Sequence, residues 1–296
     1  MGGGGYSTVD RTVRAKAKGY YTGSERQIFK SRNMHPEMCP RDMTFRESRD
    51  SEEHPNSQAI IIALDVTGSM GSISRELVKD GLPMIMQGII DAGMPDPQLL
   101  FLGIGDHECD QAPLQVGQFE SSDELLDKWL TSVYLEGGSG GNDGESYFLA
   151  WYLAAMHTEI DCFEKRGEKG VLFTIGDEPT LKNISYDALK NIMGQGQYSI
   201  MSAAELLEKA MEKYHVFHIH VKETPSGSRQ RVVDGWRQML GDNLLEVQSK
   251  NMIPELIVPV LKSLNKTQGT NTPATPEEFA PIEEKSTDIK PEEIML

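Results

Sequence analysis

The sequence is short of positive charge. Its 296 residues hold 29 Lys and Arg against 45 Asp and Glu, a formal net charge of −16. A surface this acidic repels a phosphate backbone, which argues against nucleic acid as a partner. Cysteine is scarce too. Cys39, Cys109 and Cys162 are odd in number, widely spaced and without a Cys-x-x-Cys pair. A disulfide framework is therefore not expected, and a reducing compartment is. No apolar run approaches the roughly 18 residues that a membrane-spanning helix needs. The first residues, Met1-Gly2-Gly3-Gly4-Gly5-Tyr6, lack the charged-then-apolar order of a secretion signal. They resemble a myristoylation start, except that Tyr6 stands where Ser or Thr is wanted. Together these absences lead to the expectation of a cytoplasmic protein with no membrane partner.

Hydrophobic residues make up 38% of the chain, which is low for uniform packing, so the ends are expected to differ from the middle. Residues 1–50 hold ten Lys and Arg against six Asp and Glu. Residues 48–57, Ser48-Arg49-Asp50-Ser51-Glu52-Glu53-His54-Pro55-Asn56-Ser57, read as a linker. The expectation for 1–57 is thus a polar, basic extension and linker, with some apolar residues of Gln27–Phe45 suited to docking. Residues 267–296 are rich in Thr, Pro and Glu, cannot bury enough apolar surface to offset ordering entropy, and are expected to be a disordered acidic tail. The folded domain is expected over 58–266.

Within that domain, strand and helix signals alternate. Ala59–Leu64 is a short continuous apolar run, the mark of a strand covered on both faces. Ile73, Leu77, Met84, Ile85 and Ile89 recur at helical spacing, with Pro83 expected to kink the helix. Further strands are expected at Leu99–Ile104, Val171–Ile175, His215–Val221 and Leu244–Val247. Helices are expected at Ser122–Val133, Glu145–Cys162, Tyr186–Met193, Ser202–Lys213, Arg231–Leu240 and Pro254–Leu264. This order predicts an α/β fold: a doubly wound, mostly parallel sheet with helices on both faces. Ligands of such sheets sit outside the carboxyl ends of the strands.

The chemistry-bearing residues lie at those ends. The first strand runs into Asp65-Val66-Thr67-Gly68-Ser69, a D-x-[S/T]-x-S pattern that aims one carboxylate and two hydroxyls into a small volume. An all-oxygen set with no thiolate suits a hard cation such as Mg²⁺, which keeps several waters. Asp177 follows the strand Val171–Ile175. Between the two lies the glycine-rich stretch Glu136–Ser146, whose Asn142 or Asp143 can supply another oxygen. The alternative is a plain turn in which Asp65 and Ser69 cap the following helix.

Taken together, the Asp65-x-Thr67-x-Ser69 loop after an apolar strand, the glycine-rich loop before a helix, and Asp177 after a later strand resemble the metal-ion-dependent adhesion site of von Willebrand factor A domains. The similarity is to the standalone prokaryotic or phage type, over about Gln58–Lys266. It implies that Asp65, Thr67, Ser69, Asn142 and Asp177 hold the ion, Asp177 through water, with Asp143 and Glu145 of the glycine-rich loop as supporting residues. Independently of the resemblance, Asp106 or His107, in the loop after Leu99–Ile104, lies at the ligand edge and reads as a supporting or partner-contacting residue, the alternative being a solvated polar loop. The resemblance also implies Mg²⁺, with Mn²⁺ or Ca²⁺ as substitutes, and an open coordination position that accepts an Asp or Glu from a partner protein. An AAA+ ATPase or another assembly machine is the partner class it brings. The sequence departs from the family in the middle loop, where the usual Thr is replaced within Gly141-Asn142-Asp143, so the fourth ligand stays open between Asn142 and Asp143.

Other readings are weaker. A zinc site at His107 and Cys109 lacks two further ligands. His218 and His220 share a strand face, where core histidines are commoner than ligands. Glu178 reads as a solvated neighbour, and the aromatic residues of Tyr147–Tyr152 as core. A metal-dependent phosphatase would need a second Asp where Thr67 stands. No P-loop and no Ser–His–Asp set is present. Binding rather than catalysis is the expectation, with a structural subunit carrying a degenerate site as the remaining alternative.

Overall fold

The computed structural model describes residues 5–68, 70–94, 96–136, 142–196 and 198–268. The expected tail, 267–296, falls almost wholly outside them. At the centre lies β2, Gln58–Asp65, buried at every position. It pairs in parallel with β3, Pro97–Ile104, on one side and with β6, Gly170–Gly176, on the other. Beyond β6 come β9, Tyr214–Val221, and β10, Leu244–Val247, both parallel. The antiparallel strand β4, Leu114–Val116, closes the far edge, giving the order β10-β9-β6-β2-β3-β4.

The pleat sends alternate residues of β2 to opposite sides, as strand geometry requires. Ile60, Ile62 and Leu64 join one core cluster; Ala59, Ile61 and Ala63 join the other. The first cluster is roofed by α4 (Leu82–Asp91), α5 (Asp123–Ser132) and α11 (Ile253–Gln268). The second is roofed by α6 (Phe148–Met156), α9 (Ala203–Lys213) and α10 (Gln230–Leu240). The fold is therefore α/β: a mostly parallel six-stranded sheet with helices on both faces. No helix among the described residues is long and apolar enough to cross a membrane.

Capping explains several helix starts. Ser122 accepts from the Leu125 amide ahead of α5, and Ser185 from Ala188 ahead of α8, Tyr186–Met193. Ser202 and Glu205 form a capping box on α9, which satisfies two orphan donors at once. Pro83 is the second residue of α4. A π-turn over Leu77–Gly81 separates α3, Gly71–Glu76, from α4. The wider turn accommodates a proline that lacks an N–H and would press on the carbonyl four residues earlier.

Two expectations need correction. The helix read over Glu145–Cys162 is shorter. Glu145 and Ser146 are taken up by backbone bonds to Pro179 and Gly105, so α6 starts at Phe148. It ends at Met156 because Thr158–Ile160 forms β5, paired with β1 at Arg46–Ser48; α7, Asp161–Arg166, follows. The N-terminal region is also more than an extension and linker. α1, Thr8–Ala17, and α2, Glu25–Ile28, pack on the sheet side that carries α4 and α5. Ala15, Tyr20, Ile28, Phe29 and Met38 belong to its core cluster. Residues 48–57 are tied down as well: Arg49 pairs with Asp161 at 2.9 Å, and Asp50 with Arg166 at 2.9 Å. Charge pairs hold this stretch in place of apolar contacts, which is why its polarity looked like that of a linker. A small antiparallel pair, β7 (Asn183–Ile184) with β8 (Met201–Ser202), flanks α8 on the chain.

Candidate cation site

The parallel register brings three loops to one edge. Asp65 is the last residue of β2 and lies opposite Ile104 of β3, while Leu64 lies opposite Ile175 of β6. Asp106 and Asp177 therefore emerge on either side of Asp65. All three are buried, at 1%, 0% and 0% exposure.

Asp65 is held on both oxygens. Its Oδ1 accepts from the Thr67 amide at 2.9 Å and the Thr67 hydroxyl at 2.6 Å. Its Oδ2 accepts from the Tyr147 hydroxyl at 2.6 Å. Tyr147 stands just before α6 and is fully buried. Its ring meets Trp236 edge-on at 5.5 Å and His218 at 5.2 Å. The tyrosine fits there because residue 176 is glycine: a Cβ at Gly176 would lie 1.8 Å from the Tyr147 hydroxyl oxygen. Asp177 accepts from the Thr224 hydroxyl at 2.6 Å.

The electrostatics of this edge are one-sided. Burial raises the pKa of Asp65, and the charge of Asp177 raises it further, against the hydrogen bonds from Thr67 and Tyr147. Glu145 is raised more. Burial is the largest cause, and Asp65, Asp110, Asp106 and Glu178 all push the same way. Its Oε2 is buried with no hydrogen-bond partner among the described residues, as are Oδ2 of Asp106 and Oε2 of Glu178. Negative charge here is penalised by desolvation and by like charge together, and a cation relieves both. Even so, no three His, Cys, Asp or Glu side chains among the described residues converge as a metal-binding group. The donor set fits an ion that takes few protein ligands and keeps its waters: a carboxylate and a hydroxyl, with more acid nearby. The Thr67 hydroxyl can give its proton to Asp65 and still offer a lone pair.

The remaining predicted residues are placed as follows. Ser69 and residues 137–141 of the glycine-rich loop lie outside the described residues. Asn142 donates to Glu108 at 2.8 Å on the exposed rim. Asp143, also exposed, pairs with Arg231 at 2.7 Å and Arg229 at 3.4 Å. Glu145 is the member of that loop within the field of Asp65. The His107 ring and amide both contact the Ser146 hydroxyl, at 2.8 and 2.9 Å, and Cys109 is exposed. His218 and His220 are buried and engaged, His218 with Thr174 at 2.9 Å and His220 with the Gly227 carbonyl at 2.8 Å. Burial lowers the pKa of both, as expected of core histidines.

Sequence reasoning missed Tyr147, Thr224 and Trp236. Tyr147 had one legible signal: a tyrosine deep in an apolar run needs a partner for its hydroxyl, and a strand-end aspartate is a natural one.

No protein-family model and no curated protein matches the chain. Among solved structures, the pilus adhesin SpaC from Lactobacillus rhamnosus GG in its open conformation is similar, with a TM-score of 0.48 and 10% identity over 74% of this chain. A second form of that adhesin gives a TM-score of 0.48 and 13% identity over 76%. The chain spans about a third of the adhesin's length, 31% and 32% in the two cases. Likeness at this level transfers no residue role.

Proposed function

We propose that this chain is a von Willebrand factor A-type module that binds a Mg²⁺-class cation at Asp65 and Thr67 and uses it to capture a carboxylate from a partner protein. The observation that carries the reading is the buried Asp65 carboxylate at the end of the central strand, joined to the Thr67 hydroxyl at 2.6 Å and surrounded by acids that raise one another's pKa. Ser69 belongs to the proposed ligand set through the D-x-T-x-S pattern, and Asp177 through water. Asn142 belongs to the set only if its side chain leaves Glu108.

The chain's own residues have simple tasks. Tyr147 fixes the orientation of Asp65, Thr67 adds a neutral oxygen, and the buried setting keeps the field strong. The bound ion supplies an electrophilic position; with few anionic ligands it keeps appetite for an external carboxylate. Thr67 occupies the place where a phosphatase of this sheet type carries its second Asp, which supports binding over catalysis. The family resemblance adds an AAA+ ATPase as the partner class to test.

Calorimetric titration with Mg²⁺ tests the reading. The expected result is saturable binding of about one ion per chain, abolished in Asp65→Ala and weakened about tenfold or more in Thr67→Ala. At 100 times its dissociation constant the ion should stabilise the fold by about 2.7 kcal/mol. No heat and no thermal shift in the intact chain would sink the proposal.

A further inference from the structure

The N-terminal segment reaches the mouth of this site. A cleft of about 370 Å³ opens beside Thr67 and Gly68, with Tyr134 and Leu135 on one side. The other side is built by the segment around α2 and contributes Arg26 and Arg32. That wall is anchored. Ile28 and Phe29 are buried beneath it, Ser31 donates to the Ser132 carbonyl at 3.0 Å, and Gln27 closes the start of α2 by accepting from the Ser24 amide at 2.8 Å.

Both arginines are exposed, and neither guanidinium makes an ion pair or hydrogen bond among the described residues. Arg11, Arg14, Arg49 and Arg166, by contrast, are each matched to acids. Two carboxylates share the cleft lining, Glu25 and Glu136. Glu136 is buried and accepts from the Ala112 amide at 2.8 Å, and neither acid forms an ion pair with Arg26 or Arg32 among the described residues. A pair of unmatched guanidiniums at the entrance to an acidic, cation-seeking site makes sense if the incoming group is itself an anion with more than one charge. Guanidinium forks bind carboxylates in a directed, charge-assisted way.

We propose that the partner segment is a di-acidic peptide: one carboxylate meets the cation at Asp65 and Thr67, and a second, a residue or two away, is held by Arg26 and Arg32. This rests on the cation reading above. It adds that the N-terminal segment is a specificity element of the same site.

The test uses two capped peptides, Gly-Asp-Gly-Gly-Gly with one acid and Gly-Asp-Gly-Glu-Gly with two, titrated into the full chain in saturating Mg²⁺. The two-acid peptide should bind about tenfold tighter. The double variant Arg26→Gln/Arg32→Gln should erase that advantage while keeping its Mg²⁺ isotherm and melting temperature. Equal binding of the two peptides, or an advantage that survives in the double variant, would overturn the arginine wall and leave the cation reading intact; binding of neither would overturn the arginine wall and carboxylate capture together, leaving only the ion site. Absence of Mg²⁺ binding in the unaltered chain is a distinct result and would overturn both.

Discussion

Arg11→Ala should lower the unfolding free energy by about 3–5 kcal/mol in denaturant titration. Arg11 of α1 and Asp127 of α5 are an ion pair at 3.1 Å with side chains 1% and 0% exposed. The separation is close enough for charge attraction, although the Arg11 Nε–H is not aligned as a hydrogen bond. The same guanidinium also donates to the Val78 carbonyl. Truncation leaves Asp127 buried with Arg14, at 3.4 Å, and the more distant Lys18 as its cationic neighbours. Burial already raises the Asp127 pKa, and Arg11 is the first charge that opposes this. A loss of that size is a large share of an ordinary domain's stability. The double replacement Arg11→Met/Asp127→Leu should recover most of it, because an apolar pair of similar volume removes both desolvation penalties. A loss under about 1 kcal/mol in the single variant would mean that α1 is not seated on α5.

Trp236→Ala should cost about 3–5 kcal/mol as well, lowering the melting temperature by on the order of 10 °C for a domain of this size. The indole is 2% exposed and stacks on His218 at 3.6 Å with an interplanar angle of 11°. It meets Tyr147 and Trp151 edge-on at 5.5 and 6.2 Å, and its Nε1 donates to the Glu178 carbonyl at 3.0 Å. The consequence extends to the site. With the indole gone, Tyr147 loses one wall of its slot, and the hydroxyl that orients Asp65 loses definition. Mg²⁺ affinity should therefore fall in Trp236→Ala even though residue 236 is no ligand. Unchanged affinity in a destabilised variant would show that Tyr147 is held by Gly176 and His218 alone.

The central strands were legible because they are short continuous apolar runs set between helical patterns, as a strand buried on both faces reads. Ala59–Leu64 and Val171–Ile175 fall inside β2 and β6, and Leu244–Val247 and Tyr186–Met193 match β10 and α8 end to end. What escaped was held together by polar contacts across long sequence separations. β1 pairs with β5 from more than a hundred residues away, and neither three-residue strand has a period to read. Leu114–Val116 was missed because its edge position gives a strand too short to alternate.

At the site, Asp65, Asp106 and Asp177 were readable as strand-end acids. Their mutual burial was not, nor was the Glu145 Oε2 without a partner among the described residues, because both depend on which loops the register brings level. Arg26 and Arg32 were invisible for the opposite reason: in the sequence they are ordinary charges in a basic stretch, and only the packing of Ile28 and Phe29 sets them beside Thr67.

Anomalous scattering from a crystal soaked in Mn²⁺ is the most direct test of the central claim. It is predicted to give one strong peak at the carboxyl edge of the sheet, within ligand distance of the Asp65 carboxylate and the Thr67 hydroxyl. A peak at His218 and His220, at His107, or nowhere on the chain would contradict it.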